Sequence, residues 1–216
     1  PVRVAETIAG LYAGGELFLH IGVTLYETVL GFVLGTAAGT LIAITLWWSP
    51  AINRVLDPYL VVLNALPKIA LGPILIVWFG AGITSIIVMA LLISFVVTIM
   101  SVLAGFNEIT GEKQLLMKTL GASKLQIFTM VVLPASLPTI MNALKISVGM
   151  SWVGVIVGEY LVSKAGLGYL IVYGGQVFKL DLVMASIVVL CLLAALMYYG
   201  VAYMEKKLVR WRMHGG

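Results

Sequence analysis

Charge is what this sequence has least of. Only 10% of its 216 residues are Asp, Glu, Lys or Arg, where an ordinary soluble domain carries roughly 25%. Meanwhile 62% are hydrophobic even with glycine left out. So few ionised groups cannot cover a globule in water, which excludes a soluble enzyme, and the same hydrophobicity excludes a disordered chain. A single cysteine, Cys191, leaves no intramolecular disulfide and no cysteine-based metal site. No His/Asp/Glu cluster has metal-ligand spacing, and no Ser-His-Asp arrangement suggests a hydrolase. A GxxxxGKS/T loop, which cradles nucleotide phosphates, is also missing. The chain is therefore expected to be non-catalytic, with no metal or cofactor of its own. Its net charge of +4 reads as asymmetry between loops rather than nucleic-acid affinity.

What the sequence does have is long apolar runs. A membrane-spanning helix takes about 20 residues, so there is room for five or six spans and no soluble domain between them. The opening, Pro1 to Phe18, contains Arg3, Glu6 and Glu16 and is too polar to span. It lacks the basic n-region and apolar core of a signal peptide, and a further span is expected upstream of it. The clear spans are about Ile21 to Trp48, Tyr59 to Phe79 with Pro67 and Pro73 inside it, and Ser85 to Phe106. A fourth starts around Pro134 and Pro138 and ends near Leu161, and the last covers about Leu182 to Met204. Strand alternation is absent, and a β-barrel would need polar lumen positions. The fold class is an all-α integral membrane protein with about five spans, forming one transmembrane domain over residues 1–216.

Lysine and arginine set the orientation. Five spans place Arg54, Lys113, Lys118, Lys124, Lys206, Lys207, Arg210 and Arg212 on one side, and Arg3, Lys164 and Lys179 on the other. The richer side is assigned as cytoplasmic. It carries the 107–126 loop and the C-terminal tail.

That loop reads EKQLLMKTLGASKLQIFTMVVLPASLP. Leu116 and Leu120 are four apart and share one face of a short helix. Gly121 suits a left-handed helix stop. Ser123 and Gln126 have capping-box spacing, so a second helix should start at Ser123. The exposed leucines would either dock into a partner's groove or lie on lipid.

With Gly121, nine intervening residues and Val131-x-Leu133-Pro134, the loop resembles the EAA loop of permease subunits of bacterial ATP-binding-cassette (ABC) importers. The Glu-Ala-Ala positions themselves hold Leu115, Leu116 and Met117. Four further segments are similar to the nitrate/sulfonate/taurine/bicarbonate branch and keep its order. They are HIGVTLYETVLGFVLGTAAG, LDPYLVVLNALPKIALGPILIVWFG, LPASLPTIMNALKISVGMSW and GEYLVSKAGLGYLI. The resemblance implies an importer permease in a bacterial inner membrane, with residues 107–135 as its ATPase-coupling loop. Leu116, Leu120, Gly121, Ala122, Ser123, Leu133 and Pro134 would form the coupling element. It also implies two copies of a cytoplasmic ATPase that holds ATP and Mg²⁺, a second permease copy, most simply a homodimer, and an extracytoplasmic solute-binding protein. The competing reading is an ATP-independent channel or secondary transporter, against which stands the lack of self-similar halves.

Inside the spans, Gly31, Gly35 and Gly39 form a double GxxxG, with Ala43 one step on, that allows close helix approach. In the fourth span Asn142, Lys145, Gly149, Trp152, Ile156 and Glu159 share one face, while Ser147, Ser151, Gly154 and Gly158 lie nearly opposite. The small residues read as a packing seam. Charge facing lipid is costly, so Asn142, Lys145, Trp152 and Glu159, with Lys68 after the helix-breaking Pro67, are the candidates for a translocation path. Snorkelling is the alternative for the two lysines, and water at the outer boundary for Glu159. Glu27 aligns with His20, Thr24 and Gly31, either on the path or in a buried polar contact.

Overall fold

A span that is apolar on all sides satisfies its backbone only by bonding within itself, because lipid offers no partners. The computed structural model is helical accordingly. It describes residues 1–109 and 111–213, with side chains for 1–109 and 113–208, and no strand occurs among the described residues. The side chains of Glu112, Arg210, Trp211 and Arg212 lie outside that description.

The helices are α1 (Val2–Ala13), α2 (Glu16–Trp48), α3 (Pro50–Ala65), α4 (Gly72–Phe79), α5 (Ile83–Asn107), α6 (Gly111–Thr119), α7 (Lys124–Ile127), α8 (Leu133–Val162), α9 (Leu167–Gln176) and α10 (Leu180–Met213). A 3₁₀ turn, Lys68–Leu71, precedes α4, and a π turn, Phe128–Val132, joins α7 to α8. Among the described residues, four stretches are long and apolar enough to cross a membrane: α2, α5, the continuous Lys124–Val162, and α10 over Leu180–Leu208. A fifth results if Pro50–Ala65 and Lys68–Phe79, bent by 84°, form one broken span.

Three boundaries differ from the sequence reading. The second span starts at Pro50 rather than near Tyr59. Ser49 caps the helix by accepting from the Ile52 amide, and Pro50 occupies the first turn, where its missing N–H costs nothing. The same element is broken at Leu66, which adopts an extended conformation (φ −63°, ψ 137°) because it precedes Pro67. The fourth span does not start at its prolines, since helical winding continues from Lys124 through the π turn into α8. Finally, a further helix, α9, for which no span or helix is expected from the sequence, starts at Gly166, whose φ is +115°.

The chain divides into two compact units. The first comprises Pro1–Gly35, Pro67–Ser94 and Val148–Tyr198; the second comprises Thr36–Leu66, Phe95–Ser147 and the chain from Tyr199 on. Lipid tails are as apolar as leucine, so helices in a membrane associate through close packing rather than water exclusion. In the first unit, α2 and α8 both press on α5 at Ala90, through Gly31 and Gly154, and Gly158 abuts Ile86. A side chain on any of these glycines would collide with α5. In the second unit Gly39 meets Thr98 and Gly105 meets Thr139, while Thr98 and Ser147 hydroxyls bond at 2.7 Å. Both small-residue stripes are thus helix seams. The core of the second unit gathers Ala43, Leu46, Ile99, Val102, Phe106, Ile127, Phe128 and Val132.

Candidate functional site

The loop between α5 and α8 folds from purely local signals. At the end of α6, the Ala122 amide donates to the Met117 carbonyl and the Gly121 amide to that of Lys118. This pair of bonds is a Schellman stop, and it needs Gly121 in the left-handed region, at φ +80°. Two residues later the capping box forms in full. The Ser123 hydroxyl accepts from the Gln126 amide at 3.3 Å, and the Gln126 side chain accepts from the Ser123 amide at 2.8 Å. Helix, glycine stop and capped helix follow each other with no slack residue.

This hairpin has two faces of opposite character. Ile127 and Phe128 are buried in the core of the second unit, with Met117 and Ala122 packed against it. Phe128 lies 4.9 Å from the Trp47 ring and 5.4 Å from that of Phe106. The Lys124 ammonium donates to the Trp48 carbonyl. On the other face Leu116 is 62% exposed and Leu120 74%, with Leu115 and Leu125 also exposed. Ser123 and Leu133 are exposed as well, and Pro134 is half-buried in the first turn of α8.

The polar residues of the spans are placed as follows. Asn142 is exposed on α8. Lys145 forms an ion pair with Glu205 of α10 at 2.9 Å, with side chains 18% and 26% exposed. Lys68 sits half-buried in the turn between α3 and α4. Trp152 is buried, and its indole N–H has no acceptor.

Glu159, at 1% exposure, faces no water here. Its Oε1 accepts from the Thr24 hydroxyl at 2.6 Å and its Oε2 from the Gly168 amide. The Leu167 amide donates to Thr24 Oγ1 at 2.8 Å and the Gly166 amide to His20 Nδ1 at 2.9 Å. Three successive amides opening α9 are thus taken up by side chains of α2 and α8, and a carboxylate sits where the helix dipole is positive. The alignment of His20, Thr24 and Glu27 is therefore a buried contact face. Glu27, fully buried, lies beside Glu159, carboxyl against carboxyl.

The sequence placed these α2 residues on one face but held no signal for their partners, because backbone amides carry none. In the sequence Lys124 is likewise no more than a loop charge. Among the described residues no three His, Cys, Asp or Glu side chains come together as metal ligands.

The described residues thus form an all-helical fold with several membrane-length apolar helices and a stiff hairpin that presents an exposed apolar face. Residues 31–210 match the family described as binding-protein-dependent transport system inner membrane component, and the chain belongs to that family. It is similar to the putative aliphatic sulfonates transport permease protein SsuC of Bacillus subtilis, with 32% identity over 98% of this chain and 77% of that protein. It is similar also to the taurine transport system permease protein TauC of Escherichia coli, with 30% identity over 100% of this chain and 79% of that protein. The fold matches a chain of the MetNI methionine ABC transporter, solved in inward-facing conformations. The TM-score is 0.69 at 21% identity, over 87% of this chain and 91% of that one. The chain is an ABC importer permease and not an ATP-independent channel or secondary transporter.

Proposed function

We propose that two copies of this permease pair around a shared path and that each docks one cytoplasmic ATPase through its 107–135 loop. One observation supports this above the others: Leu116 and Leu120 are exposed on a hairpin whose opposite face is locked into the second unit's core. An amphipathic element of this kind buries its leucines in a partner's groove. ATP and Mg²⁺ belong to that ATPase, and this chain supplies no catalytic group. ATP-driven closure of the two ATPases brings the hairpins together and turns the path outward, where a binding protein delivers the solute. Hydrolysis then resets it.

The loop and the C-terminal tail face the cytoplasm, in line with their excess of lysine and arginine. The path runs along the α8 face that carries Asn142 and Lys145, with Trp152 on the same face and Lys68 at the α3–α4 break. Glu159 belongs to this face too, and its contribution is to hold α9. The solute is a small organic molecule, in keeping with the relatives named for sulfonates and taurine.

The test is purification in mild detergent with the neighbouring ATPase co-expressed, using a cysteine at Lys118 in a Cys191→Ser background. An ATPase recovered at about one copy per permease and cross-linked through position 118 is the expected result. A permease that purifies alone and cross-links to nothing overturns the proposal.

A further inference from the structure

We propose that Lys124 is a positioning residue that carries movement of the loop into α2 by gripping the Trp47–Trp48 pair. This rests on the reading of the loop as the ATPase-docking segment and goes beyond it, because docking alone does not say which span follows the loop.

Lys124 is the first residue of α7, and Ser123 and Gln126 fix the start of that helix through the capping box. From there its ammonium reaches the carbonyl of Trp48, the last residue of α2 and 76 positions away in the chain. The final carbonyls of a helix have no partner within it and carry its negative partial charge, so a cation is favoured there. The same ammonium lies 5.6 Å from the Trp47 ring centroid and 5.5 Å from that of Trp48, within cation–π range of both. One turn further along, Phe128 packs on the same two rings, at 4.9 Å and 6.3 Å. The short helix is thus fastened to the end of α2 at two points, one ionic and one aromatic.

The covalent route from α7 into α8 is different in kind. It passes through the π turn Phe128–Val132, a wider winding that interrupts α geometry. A displacement of α7 reaches α2 through the Lys124 grip and the Phe128 contact, whereas its covalent connection to α8 runs through that turn. The docking leucines, Leu116 and Leu120, belong to α6 and its cap. Removal of the Lys124 charge therefore leaves docking in place and weakens the link to α2, which then rests on the apolar contacts of Ile127 and Phe128 alone.

The experiment uses the permease–ATPase complex in lipid nanodiscs, with and without ATP plus vanadate, and reads hydrogen exchange over residues 113–128 and 40–48. In the wild-type complex both segments respond to the nucleotide. In Lys124→Met the loop still responds and the ATPase stays bound, while the response over 40–48 falls by about five-fold or more. Lys124→Arg, which keeps charge, donor and ring contact, retains it. The proposal is overturned if 40–48 responds in Lys124→Met as in wild type, or if wild-type 40–48 never responds. It is also overturned if Lys124→Met loses the ATPase, since Lys124 would then serve docking alone. A wild-type permease that binds no ATPase would instead overturn the reading of the loop.

Discussion

Thr24 and Glu159, 135 positions apart, meet through a 2.6 Å hydrogen bond from the threonine hydroxyl to the glutamate Oε1. Each also receives an amide from the first turn of α9. Glu159 is therefore the strut that fixes α9 to α2 and α8. Glu159→Ala strips the partners from Thr24 and Gly168 and should cost about 2–3 kcal/mol. Glu159→Gln can keep only one of the two acceptor roles and should cost about half of that. Melting in detergent, with amide exchange over residues 167–170, checks both. An α9 that exchanges no faster in Glu159→Ala would remove the strut from the account.

Lys145 and Glu205 pair with both side chains partly exposed. The expected cost of Lys145→Gln lies between the roughly 0–1 kcal/mol of an exposed pair and the roughly 3–5 kcal/mol of a broken buried one. Reversal of both charges, Lys145→Glu with Glu205→Lys, should recover most of the loss. A double-mutant cycle on melting temperature reads the coupling, and additive losses would mean that the pair contributes nothing as a pair.

Two glycines of α8 should respond in opposite directions. Gly154 lies against the backbone of α5 at Ala90, so Gly154→Val forces the helices apart and should destabilise by about 1–3 kcal/mol or more. Gly149 has nothing within 4 Å of where a Cβ would stand, and Gly149→Ala should stabilise by roughly 0.5–1 kcal/mol through helix propensity. Equal melting shifts for the two would mean that the seam at Ala90 is not there.

Gly121→Val places a β-branched residue at φ +80°, at a cost of about 1–2 kcal/mol. No atom lies within 4 Å of the added Cβ, so the rest of the fold should survive. The expected outcome is a permease that melts near the wild-type temperature but recovers far less ATPase on co-purification. Full recovery of the ATPase would show that the glycine stop is dispensable for docking.

The loop was the most legible part of the sequence, because its signals are local. Gly121, Ser123 and Gln126 each act on a backbone group within a few positions, and all three bonds form as the spacing implies. The small-residue seams were legible for a related reason, since glycines at helical spacing announce close approach whatever the neighbour. The bend at Leu66 was half visible: Pro67 announced a break, but an 84° change of direction depends on packing. Helix α9 is not legible in the sequence because its start bears no capping side chain of its own. Its caps come from His20, Thr24 and Glu159, far off in the chain, and no local pattern at residues 163–169 encodes them. Lys145 and Lys124 were seen as charges, but their partners, Glu205 and a backbone carbonyl, could be found only in three dimensions.

The closure of α9 by residues of α2 also sets an order of events at the ribosome. His20 and Thr24 are synthesised 146 and 143 positions before the amides they receive. At about 5–20 residues per second, α2 waits roughly 7–30 s for these partners. During that interval its polar face has only water or transient neighbours to satisfy it. The first unit is sealed late, when the chain around Glu159 and Gly168 is delivered. A lesion that delays the last third of the chain would leave this early span open to membrane quality control, even though its own sequence is intact.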